Sequence, residues 1–193
     1  MSVTCVSYAA DGWGVGEVWH EDGKLVWHEL PRPRPARSAS LGTRVRARET
    51  PSLGGVNYPP PSEATIAAKR RRARAKSAPK VDGLVDRVRA YFSGERVSFD
   101  EDEIELDGWT PFQRRVLEAL RQVPYGEVVS YSDLARVAGF PRAQRAAGTF
   151  CAHNRFPLVV PCHRVVSANG IGSYGSLGLD YKRRLLALEG VTL

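Results

Sequence analysis

The first 30 residues alternate short apolar segments with turn signals. Residues 3–8, 15–20 and 25–30 are rich in β-branched and aromatic side chains, and Asp11-Gly12 and Asp22-Gly23 lie between them. Glycine beside aspartate is typical of tight turns between antiparallel strands. The pattern therefore predicts a three-stranded antiparallel meander.

A helical period of apolar residues begins after residue 81. Its apolar positions follow i, i+4 and i+7 spacing, which predicts an amphipathic helix that ends near Gly94. These positions are Leu84, Val85, Val88, Tyr91 and Phe92. Residues 99–106 predict a strand or an extended connector. A second helix is predicted to begin with Thr110 as its N-cap and Pro111 as its first residue, where proline is favoured.

Two short helices joined by a glycine are predicted between residues 130 and 152. Ser130 and Asp133 resemble a capping box, Gly139 ends the first helix, and Pro141 is predicted to begin the second. This order is typical of a helix-turn-helix. The second helix carries two arginines and a face of small residues: Arg142, Arg145, Ala146, Ala147 and Gly148. Small side chains allow a close approach to DNA, so the pattern favours sequence-tolerant binding in the minor groove.

The candidate chemistry lies in residues 161–164. An apolar run at 158–160 leads into Pro161, Cys162 and His163, which predicts a cysteine and a histidine at a bend beside a buried strand. A thiolate is a soft nucleophile, and a histidine side chain can take or hold the thiol proton near neutral pH. On these residues alone, a buried structural cysteine beside a turn-capping histidine stays an alternative.

An acidic residue follows the last predicted helix, which spans residues 179–188 and is stopped by Gly190. Glu189 lies at the negative end of the helix dipole, where its charge is unfavourable. A hydrogen bond to His163 would compensate, hold the imidazole tautomer and support the positive charge that the ring gains on taking a proton. A glycine- and serine-rich loop, residues 167–178, contains Tyr174.

The net charge of +7 belongs to one segment. Residues 32–80 contain 13 Lys or Arg and two acidic residues, a local charge of +11, whereas the remainder carries −4. Residues 31–80 are rich in Pro, Arg, Ala and Ser and poor in large aliphatic residues, which predicts a disordered basic insertion. Its basic run is either an electrostatic arm on phosphates or a solvated tail.

Composition also limits the class of protein. A chain of 193 residues forms one large domain or two small ones. No apolar run reaches the length of a membrane span and no leader pattern opens the chain, so a cytoplasmic protein without a membrane partner is expected. Three cysteines without a CxxC pair fit a reducing compartment with one working thiol. Cys5, His20 and His28 lack the spacing of metal-ligand pairs, so no metal site is expected.

Two stretches together resemble the O6-alkylguanine-DNA alkyltransferase family: Pro-Cys-His-Arg-Val-Val at 161–166 and Tyr-Gly-Glu-Val leading to Tyr131. The resemblance is nearly unbroken from residue 109 to 190, weaker over 1–30 and 81–108, and absent over 31–80. It implies an α/β (α+β) fold. Residues 1–30 and 81–108 would form a small ribonuclease H-like N-terminal domain, a three-stranded antiparallel sheet with a helix. Residues 109–193 would form a mostly helical domain with the helix-turn-helix and an active-site loop.

The family resemblance also implies an activity. The alkyl group of O6-alkylguanine, or of O4-alkylthymine, in double-stranded DNA would pass irreversibly to Cys162, once per molecule and after base flipping. The protein would be a monomer without cofactor, and its DNA binding would be sequence-tolerant. His163 and Glu189 would complete a Cys-water-His-Glu relay. Asn154 would brace the active-site turn, and Tyr131 would donate to guanine N3.

Further positions take roles from the same resemblance. Arg145 would enter the base stack, the carbonyls around Cys162 and Val165 would accept from the guanine amino group, and the Tyr174 loop would form the pocket wall. Gly175 stands where many family members carry serine, which removes a side-chain donor to the alkylated oxygen. Cys151 stands at a usually apolar position and is interpreted as a core residue.

Three other functions fit parts of the chain. A non-enzymatic sensor of alkylated bases would recruit other repair factors, but such proteins replace the acceptor cysteine and Cys162 is present. A thiol hydrolase with a Cys-His-Glu triad is disfavoured because neighbouring side chains on an extended chain point opposite ways. A helix-turn-helix regulator is disfavoured by the small-residue face of the second helix.

Overall fold

The N-terminal strands form the meander that the sequence predicts. A computed structural model describes residues 3–33 and 79–193. Strands β1 (Val3–Ala10), β2 (Gly14–Glu21) and β3 (Lys24–Arg32) pair antiparallel in the order β1-β2-β3. The β2–β3 turn places Asp22 at φ 50 and Gly23 at φ 83, a left-handed conformation that aspartate and glycine tolerate. β3 runs two residues into the predicted insertion, and residues 34–78 of that insertion lie outside the described residues.

Helix α1 (Pro79–Phe92) packs on this sheet. It begins two residues before the predicted start, and its apolar face is buried as the spacing predicts: Leu84, Val85, Val88, Tyr91 and Phe92. The connector that follows is extended and adds one bridge to the sheet, between Ile104 and Leu25. The prediction for residues 99–106 left strand and connector open, and the structure shows a connector.

Helix α2 (Pro111–Arg121) begins as the sequence predicts. The Thr110 side chain accepts from the Gln113 amide, and the Gln113 side chain accepts from the Thr110 amide, which completes a capping box. Burial of Val116, Leu117 and Leu120 holds the helix in the core.

Helices α3 (Tyr131–Val137) and α4 (Gln144–Ala152) pack together as a helix-turn-helix. Ser130 caps α3 and accepts from the Asp133 amide. The predicted start of α4 at Pro141 is wrong by three residues. The Ala143 amide donates to the Phe140 carbonyl (2.9 Å), so residues 140–143 close a turn before the helix begins.

Two short strands, one before α3 and one after α4, and a last helix complete the C-terminal region. β4 (Val129–Ser130) and β5 (Val165–Val166) form a parallel pair, and α5 (Gly178–Leu188) ends the fold close to the predicted bounds. The buried apolar residues of the N-terminal and C-terminal regions form one continuous cluster. Within the described ranges, no helix is both long and apolar enough to cross a membrane.

Candidate active site

The turn before Cys162 differs from its prediction. Residues 158–160 form a buried turn, not the predicted strand, because the Val160 amide donates to the Phe156 carbonyl (2.7 Å). Leu158 takes φ 72 although it is not glycine, and it is only 2% exposed. A left-handed leucine is costly, so the surrounding contacts must hold this turn in place. Cys162 then opens a short 3-10 helix, Cys162–Arg164.

Asn154 supplies those contacts. Its Nδ2 donates to the Val160 carbonyl (2.7 Å) and to Cys162 Sγ (3.0 Å), while its Oδ1 accepts from the Phe156 amide (3.0 Å). One amide therefore ties both sides of the turn to the thiol. The geometry agrees with the bracing position that the resemblance implies for Asn154.

The Cys162 thiol is held as a buried, neutral group. Its residue is 6% exposed. Burial raises the pKa of Cys162, and the opposing effects of the Asn154 hydrogen bond and the Lys182 charge are smaller. A buried thiol with a raised pKa needs a base to become a nucleophile.

His163, the next residue in the chain, is fully buried and contacts Glu189. The His163 Nε2 to Glu189 Oε1 distance is 2.8 Å, so the structure contains the hydrogen bond that the sequence predicts. A carboxylate only accepts, hence Nε2 carries the hydrogen and Nδ1 carries a lone pair. Nδ1 is buried and has no hydrogen-bond partner within the described part of the chain, so no direct bond joins it to Cys162 Sγ.

Glu189 receives four further hydrogen bonds. Arg164 donates twice, from Nε to Oε2 and from Nη2 to Oε1, both at 2.9 Å. The Tyr91 hydroxyl donates to Oε1 (2.8 Å) and the Gly126 amide to Oε2 (3.2 Å). Gly126 has φ +82, and a Cβ there would lie 3.0 Å from the Glu189 carbonyl oxygen, so glycine is needed at this approach.

These contacts decide the charges of the pair. Burial by itself would raise the pKa of Glu189, but the hydrogen bonds and charges of His163 and Arg164 outweigh it and lower that pKa to about 2. For His163, burial lowers the pKa more than Glu189 raises it. The resting pair is therefore an ionised carboxylate beside a neutral imidazole that can accept a proton at Nδ1.

Two of the groups around Glu189 escaped sequence reasoning. The unfavourable position of Glu189 on its helix pointed to a cationic or donor partner, and Arg164 directly follows His163, so that signal was present. Tyr91 is 98 residues from Glu189 and carries no local signal of this contact. It had been interpreted only as part of an apolar helix face.

A small pocket opens onto Cys162. Its lining consists of Tyr131, Cys151, Ala152, Cys162, Ser173, Tyr174 and Gly175. Tyr131, Tyr174 and Gly175, which the resemblance assigns to the site, all line this pocket. Cys151, interpreted from the sequence as a core residue, is half-buried against the core and also lines this pocket. Burial raises the pKa of Cys151, so both thiols of the pocket are protonated at neutral pH.

The two pocket tyrosines stay protonated and can donate hydrogen bonds. Burial is the main cause of the raised pKa of Tyr131, which therefore stays protonated. Burial raises the pKa of Tyr174, and the neighbouring Cys162 raises it further. The Tyr174 hydroxyl has no well-aligned hydrogen bond to any described residue. Gly175 has φ 43, a left-handed value that a serine at this position would tolerate poorly.

A buried lysine that the sequence did not single out holds the pocket loop. Lys182 on α5 is 0% exposed, and its Nζ donates to the carbonyls of Val165 (2.5 Å), Ile171 (2.7 Å) and Ser173 (3.4 Å). The Val165 side chain lies in the core, so only its carbonyl is available for the predicted contact to guanine, and one lone pair of that oxygen faces Lys182.

The predicted DNA-facing residues are not all on one surface. Arg142, Arg145 and Ala146 are exposed, with Arg142 in the turn before α4. The prediction for Ala147 is wrong: it is 0% exposed and packs in the core. Gly148 is half-buried against the Tyr131 ring, where a Cβ would lie 3.8 Å from two ring atoms.

His28, one of the residues considered for a metal site, has both ring nitrogens in hydrogen bonds. His28 Nε2 lies 2.8 Å from the Tyr8 hydroxyl and Nδ1 lies 2.6 Å from the Pro157 carbonyl oxygen. Across residues 3–33 and 79–193, no group of three His, Cys, Asp or Glu side chains is placed to hold a metal ion.

The fold and the pocket together define a protein with a buried pocket cysteine and a helix-turn-helix. Residues 111–191 match the family model described as 6-O-methylguanine DNA methyltransferase, DNA binding domain. The methylated-DNA–protein-cysteine methyltransferase of Mycolicibacterium paratuberculosis is 50% identical over 108 residues, which are 55% of this chain and 64% of that protein. The Methanopyrus kandleri protein of the same name is 45% identical over 100 residues, 52% of this chain and 73% of its own length.

Solved structures extend the similarity beyond the C-terminal region. Mycobacterium tuberculosis O6-methylguanine methyltransferase superposes with a TM-score of 0.68 at 29% identity, covering 97% of this chain and 92% of that one. The crystal structure of M. tuberculosis OGT in complex with DNA gives a TM-score of 0.64 at 30% identity, covering 98% and 93%. The chain belongs to the methylated-DNA–protein-cysteine methyltransferase family. Its aligned sequence spans 64% of the length of the mycobacterial relative.

Proposed function

We propose that this protein repairs DNA by direct reversal, through transfer of the alkyl group of O6-alkylguanine to Cys162 Sγ. The observation that carries the proposal is a buried Cys162 thiol that lines a pocket and is followed in the chain by a neutral His163. The Nδ1 of His163 is buried and unpaired among the described residues, and its Nε2 donates to the ionised Glu189. Its relatives bear the name of this activity, and one neighbouring structure is described as a complex with DNA.

The transfer is a displacement at a saturated carbon. A C–S bond forms to Cys162 as the C–O bond to guanine breaks, and the electron pair of that bond leaves with the purine. Sulfur supplies the nucleophile and the leaving purine needs one proton, so this chemistry requires neither a metal ion nor a cofactor. The resulting thioether is a poor electrophile, which makes the event irreversible and limits it to one per molecule.

His163 is the base in this scheme. The Cys162 proton would pass to Nδ1, through one bridging water because Sγ and Nδ1 share no direct hydrogen bond. Glu189 then faces an imidazolium and stabilises it, since the carboxylate stays ionised down to a pKa of about 2. Tyr131, protonated and in the pocket wall, would donate to N3 of the departing guanine.

The target base must enter the pocket from the duplex. An alkylated guanine inside stacked DNA cannot reach a buried thiol, so the nucleotide has to flip, at a cost of a few kcal/mol for unstacking. Arg145 is exposed on α4 and would fill the gap in the stack, and Arg142 and Ala146 are also exposed. Ala146 has no polar group to read a base edge, and Arg145 would occupy the stack and not a groove, so binding should tolerate any flanking sequence.

Several finer points belong to the same proposal. O4-alkylthymine presents an alkylated oxygen in a smaller base and is a second substrate. The protein acts as a monomer on double-stranded DNA. A reducing compartment such as the cytoplasm would keep Cys162 reduced, and no disulfide joins the three cysteines in the structure.

The two pocket thiols permit a sharp test. Intact-protein mass is measured after mixing with a duplex that carries one O6-methylguanine, for the wild type, Cys162→Ala and Cys151→Ala. We expect one methyl gain per molecule in the wild type and in Cys151→Ala, and none in Cys162→Ala. A methyl gain that persists in Cys162→Ala, or more than one equivalent repaired per molecule, would contradict the proposal.

A further inference from the structure

Tyr91 brings a hydroxyl from the N-terminal region into the His163–Glu189 pair. It lies on the last turn of α1 and is 0% exposed. Its hydroxyl oxygen is 2.8 Å from Glu189 Oε1 and 3.3 Å from His163 Nε2. His163 follows it by 72 residues, so the contact crosses between two separate parts of the chain.

The directions of these hydrogen bonds follow from the groups involved. An ionised carboxylate only accepts, so the Tyr91 hydroxyl donates to Glu189 Oε1, and its oxygen faces the Nε2–H of His163. The three atoms close a triangle with sides of 2.8, 2.8 and 3.3 Å. The hydroxyl thereby limits the positions of both the carboxylate and the imidazole.

Aromatic packing keeps the hydroxyl in this place. The Tyr91 ring packs edge-on against Phe92 (5.5 Å between centroids) and Tyr125 (6.3 Å), and tilted against Phe99 (6.3 Å). Burial, followed by the charge of Glu189, raises the pKa of Tyr91, so the group remains a donor at any working pH. It cannot turn toward solvent without breaking this cluster.

We propose that Tyr91 is a positioning residue for the alkyl transfer, which holds His163 and Glu189 so that Nδ1 is left unpaired for the Cys162 proton. The inference rests on the proposed function and adds to it a part for the N-terminal region. Tyr91 does not touch the reacting atoms. It acts through the imidazole and the carboxylate that it contacts.

The same contact sets how strongly Glu189 acts on His163. The groups facing His163 are the Glu189 carboxylate, the guanidinium of Arg164, the ammonium of Lys182 and the Tyr91 hydroxyl. Donation from Tyr91 withdraws negative charge from Oε1, the oxygen that Nε2–H also contacts. Without the hydroxyl, Oε1 stabilises an imidazolium more strongly, and His163 would be protonated at higher pH.

The test compares Tyr91→Phe with Tyr8→Phe. Tyr8 is a matched control because it is 1% exposed, also lies in the N-terminal region, and its hydroxyl contacts His28 and not Glu189. The single-turnover rate of methyl transfer at saturating duplex is measured from about pH 5 to pH 9, a range that spans histidine titration. DNA affinity and urea unfolding are measured on the same samples.

We expect Tyr91→Phe to lower the plateau rate about tenfold and to move the acid limb of the pH profile upward by about half a unit, with DNA affinity unchanged. Tyr8→Phe should keep the rate and the acid limb of the wild type. Incorporation of 3-fluorotyrosine at position 91, which keeps the shape and donates more strongly, should move the acid limb downward. This second replacement keeps the test valid if the phenylalanine variant folds poorly.

Equal rates and an unmoved acid limb in the two phenylalanine variants would overturn the role of Tyr91, as would a downward shift in Tyr91→Phe. A structural contribution alone would lower the urea midpoint of both variants and leave both pH profiles in place. A wild-type protein that gains no methyl group is a different result, because it contradicts the proposed function itself.

Discussion

Two regions of this molecule each bury a histidine against a tyrosine hydroxyl, and they differ in what the second ring nitrogen does. In the N-terminal region, His28 contacts the Tyr8 hydroxyl through Nε2 (2.8 Å) and the Pro157 carbonyl through Nδ1 (2.6 Å). In the C-terminal region, His163 contacts Glu189 through Nε2 (2.8 Å), and its Nδ1 has no hydrogen-bond partner among the residues described.

The His28 region is a structural tie. A carbonyl only accepts, so Nδ1–H donates to Pro157 and Nε2 accepts from Tyr8, which uses both nitrogens of a neutral ring. The His28 amide also donates to the Arg155 carbonyl (2.9 Å). Strand β3 is therefore fastened to residues 155–157, the segment just before the turn that carries Cys162.

The difference teaches what makes a buried histidine a candidate base. Burial is the main cause that lowers the pKa of both rings, so burial does not separate them. One ring has both nitrogens occupied by neutral groups, whereas the other has one nitrogen on an ionised carboxylate and one unpaired. Only the second ring can take a proton and have its new charge stabilised.

The largest expected effect is the difference in methyl-transfer rate between substitutions of the two histidines. His163→Gln should lower the single-turnover rate of methyl transfer by about 10²- to 10⁴-fold, the usual contribution of a positioned base. His28→Gln should leave the rate of the folded protein near that of the wild type, because His28 has no nitrogen to offer. Equal loss of rate in both variants would mean that the two regions are not functionally distinct.

A second prediction compares the free energy of unfolding after a substitution beside His163 with that after a substitution beside His28. Glu189→Gln should lower the free energy of unfolding by about 3–5 kcal/mol, because the Arg164 guanidinium stays buried without its carboxylate. Tyr8→Phe removes one neutral hydrogen bond on the His28 side and should cost about 1 kcal/mol. Urea unfolding at neutral pH measures both, and similar costs would contradict the contrast.

The smallest expected effect is the pH dependence of stability. The pKa of His28 is lowered by burial from 6.5 to about 4, so the unfolded chain binds more protons between these values. Stability should therefore fall as pH falls from 6.5 to 4, by up to about 3 kcal/mol. Glu189, with a pKa of about 2 against 4.5, contributes stability that is lost only as pH falls below 4.5.

The His28→Gln variant tests that window. Its urea midpoint should vary less than that of the wild type between pH 6.5 and 4, with a remaining slope from His20, whose pKa burial also lowers to about 4. Both proteins should lose stability alike between pH 4.5 and about 2, where the unfolded chain binds a proton at Glu189 and the folded chain does not. A wild-type midpoint that is flat from pH 6.5 to 4 would show that His28 is protonated without penalty.

Sequence patterns predicted the elements whose causes are local. Thr110 and Pro111 are neighbours, and the predicted N-cap at Thr110 with Pro111 as the first helical residue is confirmed. The position of Glu189 on its helix predicted a compensating contact and pointed to His163. The run at 158–160 was misinterpreted as a strand, because its turn depends on the side chain of Asn154 and not on its own apolar residues.

Other misses have the same physical origin. Ala147 and Cys151 both stand on α4, and the helical period alone did not tell which one is fully buried and which one also lines the pocket. Arg164, Lys182 and Tyr91 are buried polar groups, a class that composition treats as exposed or as an apolar face. Their partners come from distant segments, so no window of sequence contains both members of a pair.

The sequence by itself determined the strands, the helices, the family and the cysteine that carries the proposed chemistry, because periodicity, caps and a contiguous motif act over a few residues. Only the tertiary structure decided which buried polar groups meet. Tyr91 and Glu189 are 98 residues apart. Leaving either group unpaired in the core would cost free energy, and only the folded chain avoids that cost by bringing the two together. Tyr91 and Glu189 both lie at Nε2 of His163 and leave Nδ1 unpaired among the described residues, which is the difference between this candidate base and the structural His28.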